Sequence, residues 1–141
     1  MDVQDVADKI EIQELLARYA RGVDTHDWQL WRSVFTDDAV VDYSRSGIAS
    51  GSRDEIAGVL EQAFEGIPWA THHITNIEIE LDGDRARARA MFYNPMQLPD
   101  VDGPSATGGH YEHELVRTPA GWKSAHLVEH PMWFVNPPEL G

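Results

Sequence analysis

The sequence contains no cysteine. That excludes a disulfide framework, a thiolate zinc site, an iron–sulfur cluster and a cysteine nucleophile. Basic residues are scarce: Lys+Arg number 11 against Asp+Glu 24, a formal net charge of −13. A surface this acidic repels phosphate backbones and anionic lipid, so the expected partners include no nucleic acid and no membrane. No apolar run approaches the roughly 20 residues of a membrane-spanning helix. The opening Met1-Asp2-Val3-Gln4-Asp5 also lacks the basic-then-apolar order of a secretion signal, so a cytoplasmic protein is expected. What is present is a 141-residue chain, 42% hydrophobic, with five Trp. That suffices for one core, and with no repeat or linker the expectation is a single domain over 1–141.

The apolar spacing gives the element order. Ile12, Leu15, Leu16, Tyr19, Ala20 and Val23 recur at helical period, with Asp2 or Asp5 placed to cap the start. A shorter helix carries Trp28, Trp31, Val34 and Phe35 and is broken by Thr36-Asp37-Asp38. A strand over 39–43 and a loop over 44–51 follow. Ser52-Arg53-Asp54-Glu55 then has the spacing of a capping box and opens a third helix through Ile56, Val59, Leu60, Ala63 and Phe64. After Pro68 the period becomes two. Ile77, Ile79 and Leu81 alternate with acids; Arg85, Arg87 and Arg89 alternate with Ala86, Ala88 and Ala90 around an Asp-Gly-Asp turn. The arginines are expected outside and the alanines inside. A loop is expected over 95–108, a second hairpin over 109–118 and 122–128, and an extended tail from 131. Helices first and long strands after imply an α+β fold, helices packed on one face of a curved antiparallel sheet.

Polar residues that interrupt apolar faces are the candidates for chemistry. Seven histidines raise the question of a metal, but His72 and His73 point to opposite faces of a strand, as do His110 and His113. No His-x-His pair or helical i,i+4 pair exists, so no metal is expected. No nucleophile elbow, phosphate loop or dinucleotide fingerprint occurs either. The remaining constellation is a carboxylate and an imidazole. Asp24, just past the first helix, could hold one ring nitrogen of a histidine at 72 or 73 and leave the other as a base; its alternative role is to cap the Trp28 helix. Tyr19 and Tyr43, on buried faces, are either core or hydrogen-bond donors to a ligand.

Several segments together resemble the SnoaL-like branch of the nuclear-transport-factor-2-like (NTF2-like) superfamily, a cone-shaped α+β barrel. They are Tyr19-x-x-x-x-Asp24, Asp27-Trp28, Val34-Phe35-Thr36-Asp37-Asp38-Ala39, Thr71-His72-His73-Ile74-Thr75-Asn76, Asp82-Gly83-Asp84-Arg85-Ala86, Gly108-Gly109-His110-Tyr111 and Gly121-Trp122-Lys123. Within it the pattern is similar to scytalone dehydratase, bile-acid dehydratase and hexachlorocyclohexane dehydrochlorinase. The resemblance implies an Asp–His dyad of Asp24 and His72, the motif selecting His72 where strand parity groups His73 with Ile77 and Ile79. A bulge at the strand start would reconcile the two.

The same resemblance implies tyrosines acting at Tyr19 and Tyr43. It disfavours dehydrochlorination, because the lysine and the last-strand basic residue of that enzyme are here Tyr19 and Leu127. The implied function is a cofactor-independent, dehydratase-like lyase with catalytic residues Asp24, His72, Tyr43 and Tyr19. It would abstract a proton next to a carbonyl on a small cyclic or polyketide-like substrate. His73, Ala88, Ala90, Phe92, Tyr111 and His113 are the expected substrate-binding residues. The alternatives are a related isomerase or cyclase, or a non-catalytic ligand-binding or association module. Association as a homodimer or homotrimer is expected from the family, with the Trp122 strand and the Trp133-Phe134 tail joining an interface or covering a pocket mouth.

Overall fold

The computed structural model describes residues 1–139, so the last two residues of the expected extended tail lie outside it. Helix α1 (Val3–Asp24) begins where Asp2 and Asp5 cap each other: Asp2 accepts from the Asp5 amide at 2.8 Å, and Asp5 accepts from the Asp2 amide at 3.1 Å. Its apolar stripe, Ile12 through Val23, is buried. Helix α2 (Trp28–Ser33) is capped by Asp27, which accepts from the Leu30 amide at 3.0 Å. The two helices touch at Gly22, where an added Cβ would lie 2.9 Å from the Trp31 backbone nitrogen; only glycine permits that approach.

Strand β1 (Phe35–Asp42) follows, then a 3-10 turn at Ser44–Ser46, the short strand β2 (Ser50–Ser52) and helix α3 (Arg53–Phe64). Ser52 caps α3 by accepting from the Glu55 amide. The long strands are β3 (His73–Asp82), β4 (Arg85–Met96), β5 (Ser105–Thr118) and β6 (Gly121–Val135).

One six-stranded sheet runs β2-β1-β6-β5-β4-β3, with the three helices against it, which is the α+β cone expected. The sheet is not wholly antiparallel: β1 pairs with β6 in parallel, across a crossover that the sequence order hides. Three further boundaries differ from expectation. Thr36-Asp37-Asp38 lie within β1, at a register shift between Phe35 and Val40, so the acids sit in a bulged strand and not in a break. The 95–108 loop shrinks to 97–104, and β6 continues through the expected tail to Val135.

Alternation along β4 sends Ala86, Ala88, Ala90, Phe92, Asn94 and Met96 inward and the arginines outward. The outer arginines meet acids across the sheet: Arg85 opposes Asp82, Arg87 opposes Glu80 and Glu114, and Arg89 opposes Glu78 and Glu112. Opposite charges at directly paired positions favour this register over a slipped one.

At the far end of α1 the buried Asp8 accepts from both Nη atoms of Arg117 at 2.8 Å and from the Trp122 indole at 3.1 Å, tying the helix to the β5–β6 hairpin. The guanidinium holds the Asp8 carboxyl far below the usual carboxylate range. Trp122 is thereby buried under α1.

Candidate active site

Asp24 ends α1, and His72 immediately precedes β3. Asp24 Oδ1 lies 2.6 Å from His72 Nδ1, and Oδ2 accepts the His72 backbone N–H at 2.8 Å. The carboxylate therefore grips both the ring and the chain of one residue. An ionised carboxylate only accepts, so Nδ1 carries the proton and the lone pair resides on Nε2, which makes no hydrogen bond among the described residues. Asp24 is not the α2 cap, since Asp27 has that position.

His72 turns inward and His73 outward, where it packs on Tyr93. The parity conflict has a structural cause: the register of β3 on β4 shifts between Thr75 and Glu78, and Asn76 takes a left-handed φ of 52°. Such an irregularity reverses the facing of residues on either side of it.

His72 lines a cavity of about 640 Å³. Its apolar walls include Val23, Leu60, Phe64, Ile67 and Met96, with Trp133 and Phe134 half-exposed at the rim. Its polar groups are His72, Tyr19, Tyr43, Tyr111, Asn94, Thr107, Ser46, Arg45 and Glu129. Tyr19 and Tyr43 share a hydrogen bond between their hydroxyls of 2.6 Å. Two hydroxyls joined by one bond retain one free proton, so the pair offers a single donor to a ligand. Burial pushes both phenols well above their usual range and keeps that donor protonated.

Of the expected binding residues only Tyr111 lines this cavity. Ala88, Ala90 and Phe92 face inward as expected, yet too deep: the Tyr111 ring stacks on Phe92 with centroids 4.5 Å apart and fills the narrow end of the cone. His113 lies behind Tyr19 and Tyr111, bonded through Nδ1 to Ser124 Oγ at 2.9 Å. Burial pushes its pKa down to about 3, so it is a neutral packing residue. His73 faces away from the cavity.

Five polar cavity residues escaped sequence reasoning, Arg45, Ser46, Thr107, Asn94 and Glu129, and the last two are buried. Asn94 is buried and its Oδ1 has no partner among the described residues; the β3–β4 pairing of His73 with Tyr93 puts Asn94 beside His72. Glu129 is buried, and one of its oxygens accepts from the Ser46 hydroxyl. Parity offered both: Asn94 shares the inward face of Ala90 and Phe92, and Glu129 that of Leu127. On the last strand the acid Glu129 lines the interior of the cavity, Pro131 to Phe134 continue its wall, and Leu127 is core.

The outer face holds a cluster that same-strand parity could not show. His110 and His130 pair across β5 and β6 with stacked rings, and their Nε2 atoms lie 3.6 and 3.5 Å from the Glu112 carboxylate.

Comparison with known proteins places this geometry in a family. Residues 4–128 match the SnoaL-like domain, and the chain belongs to that family. It is 33% identical over 130 residues to an uncharacterised protein of Mycobacterium tuberculosis, covering 92% of this chain and 88% of that one. A candidate scytalone dehydratase from Novosphingobium aromaticivorans superposes with a TM-score of 0.89 at 17% identity, covering 99% of this chain and 93% of that one. A hexachlorocyclohexane dehydrochlorinase, type three, from Novosphingobium barchaimii gives 0.84 at 22%, covering 100% and 96%. At these identities the two structures show a shared fold.

Proposed function

We propose that the chain is a cofactor-independent lyase of the dehydratase type, removing a proton beside a carbonyl and then water from a small cyclic substrate. The observation that carries this reading is the two-point grip of Asp24 on His72 at the wall of a ligand-sized cavity. His72 Nε2 is the base. Asp24 is a positioning residue that fixes the tautomer and stabilises the imidazolium once formed. The Tyr19–Tyr43 pair donates its one free proton to the carbonyl oxygen as it becomes an enolate, a hydrogen bond that strengthens as charge develops. The apolar walls exclude water and suit a ring. Likeness in fold to proteins named as a scytalone dehydratase and a dehydrochlorinase supports an elimination. A site built on tyrosines and an acid, without a lysine, supports loss of water over loss of chloride.

The test is turnover of cyclic β-hydroxy ketones, from β-hydroxycyclohexanone to hydroxytetralones, followed by the ultraviolet absorbance of the conjugated enone. His72→Ala is expected to lower the rate by about 10²–10⁴-fold while the melting temperature stays near that of the parent. A His72→Ala protein that retains the parent rate overturns the reading.

A further inference from the structure

Glu129 is the only carboxyl among the described residues that line the cavity. It stands on β6 directly across from Tyr111 on β5 and is 8% exposed. One oxygen accepts from Ser46; no lysine, arginine or histidine lies within ion-pair distance among the described residues. The one arginine of the cavity wall, Arg45, is turned to Asp42 at 3.5 Å. A buried carboxylate without a counter-ion is costly to keep charged, which favours its protonated form.

We propose that Glu129 is the general acid of the elimination, delivering a proton to the departing oxygen and matching the site to hydroxyl leaving groups. The proposal rests on the reading of His72 as the base. The atoms balance as follows. The Cα–H bond breaks and its proton goes to His72 Nε2. The electron pair passes through the enolate into a new carbon–carbon double bond. The C–O bond at the β-carbon breaks with its pair on oxygen, which takes the Glu129 proton and leaves as water. One proton returned from the imidazolium to the carboxylate, through that water or solvent, restores the resting state.

Three features favour Glu129 for this step. Its neighbours facing it are Tyr43 and Asp42 from β1 and its end, Ser46 and Arg45 from the 3-10 turn, Tyr19 from α1 and Tyr111 from β5. Burial pushes its carboxyl up to about 7, with Asp42 adding in the same direction and the Ser46 hydrogen bond opposing. A carboxyl so placed gives up and regains a proton at neutral pH. The same burial pushes the three phenols up, away from neutral pH, so they stay protonated and serve only as hydrogen-bond donors. Finally, hydroxide needs a proton to leave. A halide does not, and a carboxylate beside it would repel it as its charge developed.

The experiment pairs two leaving groups on one ring. β-Hydroxycyclohexanone must receive a proton to lose water; its β-(para-nitrophenoxy) analogue expels a stable phenolate. Glu129→Gln, an isostere that still meets the Ser46 hydroxyl, is expected to lower water loss by about 10²-fold. It should leave phenolate loss within about threefold of the parent rate. His72→Ala slows both. Equal losses on the two substrates in Glu129→Gln overturn the acid and leave the base standing; a His72→Ala protein as fast as the parent on both overturns the base. A substrate-independent arm reads the carboxyl directly. The infrared band of a protonated carboxyl, present in parent minus Glu129→Gln spectra, should titrate near 7, and higher in Ser46→Ala, where the bond favouring the carboxylate is gone. A band titrating with ordinary glutamates overturns the proposal whatever the substrate.

Discussion

Replacing Asp24 by asparagine changes one atom and confronts the site with an exclusive choice. The aspartate uses both oxygens as acceptors, one at 2.6 Å from His72 Nδ1 and the other at 2.8 Å from the His72 backbone N–H. Asparagine has a single carbonyl oxygen. If that oxygen serves the backbone, the amide NH2 faces Nδ1 and can only donate; Nδ1 must then be the acceptor and the ring proton moves to Nε2. If the oxygen serves the ring, amide and backbone N–H groups confront each other and a donor is left unpaired, at about 1–3 kcal/mol. The first arrangement is favoured, and it removes the lone pair from the nitrogen that faces substrate. The expected result is a fall in turnover of about 10³-fold with a stability loss of about 1 kcal/mol. Nitrogen-15 NMR of labelled histidine reads the tautomer without any substrate: Nδ1–H at His72 in the parent, Nε2–H in Asp24→Asn. The same tautomer in both proteins, or an undiminished rate in the variant, refutes the reasoning.

Further outcomes follow from the packing and the buried charges. The Glu129 carboxyl, raised from 4.5 to about 7 in the fold, makes native-state ionisation unfavourable by up to about 3 kcal/mol. Its contribution is fully present below pH 4.5 and is lost as pH rises through 7, so Glu129→Gln should flatten the decline in melting temperature over that window. Asp8 has the opposite sign: its lowered carboxyl stabilises the fold above its usual value of 3.8, and that support is lost as pH falls below it. Asp8→Ala should therefore destabilise by about 2 kcal/mol at neutral pH and reduce acid sensitivity, as measured by urea unfolding at several pH values. In Gly22→Ala the new methyl meets the Trp31 backbone, which cannot swing aside, and a loss of about 1–3 kcal/mol is expected. Parent-like unfolding of that variant would contradict the close contact of α1 with α2.

Local patterns revealed more of this molecule than long-range pairings did. The buried stripe of α1 and the Ala–Arg alternation of β4 are periodic signals, and the structure follows both. The parallel pairing of β1 with β6 joins segments about 90 residues apart, and nothing within either strand encodes it. Facing was legible and depth was not. Ala88, Ala90 and His113 point inward, but only in the folded chain do Tyr111 and Phe92, stacked on each other, occlude the end of the cone where they lie. In the sequence the pairing of Asp24 with His72 is legible only through the family motif, because a bulge that reverses parity has no reliable sequence signature. Glu129 sits in the polar run Glu129-His130, which reads as a solvated strand end unless parity is counted from Leu127.

The most direct measurement is deuterium exchange at the α-carbon of cyclohexanone in heavy water, followed by proton NMR. This ketone has no leaving group, so the signal isolates proton abstraction from every later step. The parent protein and Glu129→Gln should exchange the α-protons at equal rates, and His72→Gln should fall to the buffer rate. Exchange that persists in His72→Gln, with its fold intact, would contradict the assignment of the imidazole held by Asp24 as the base.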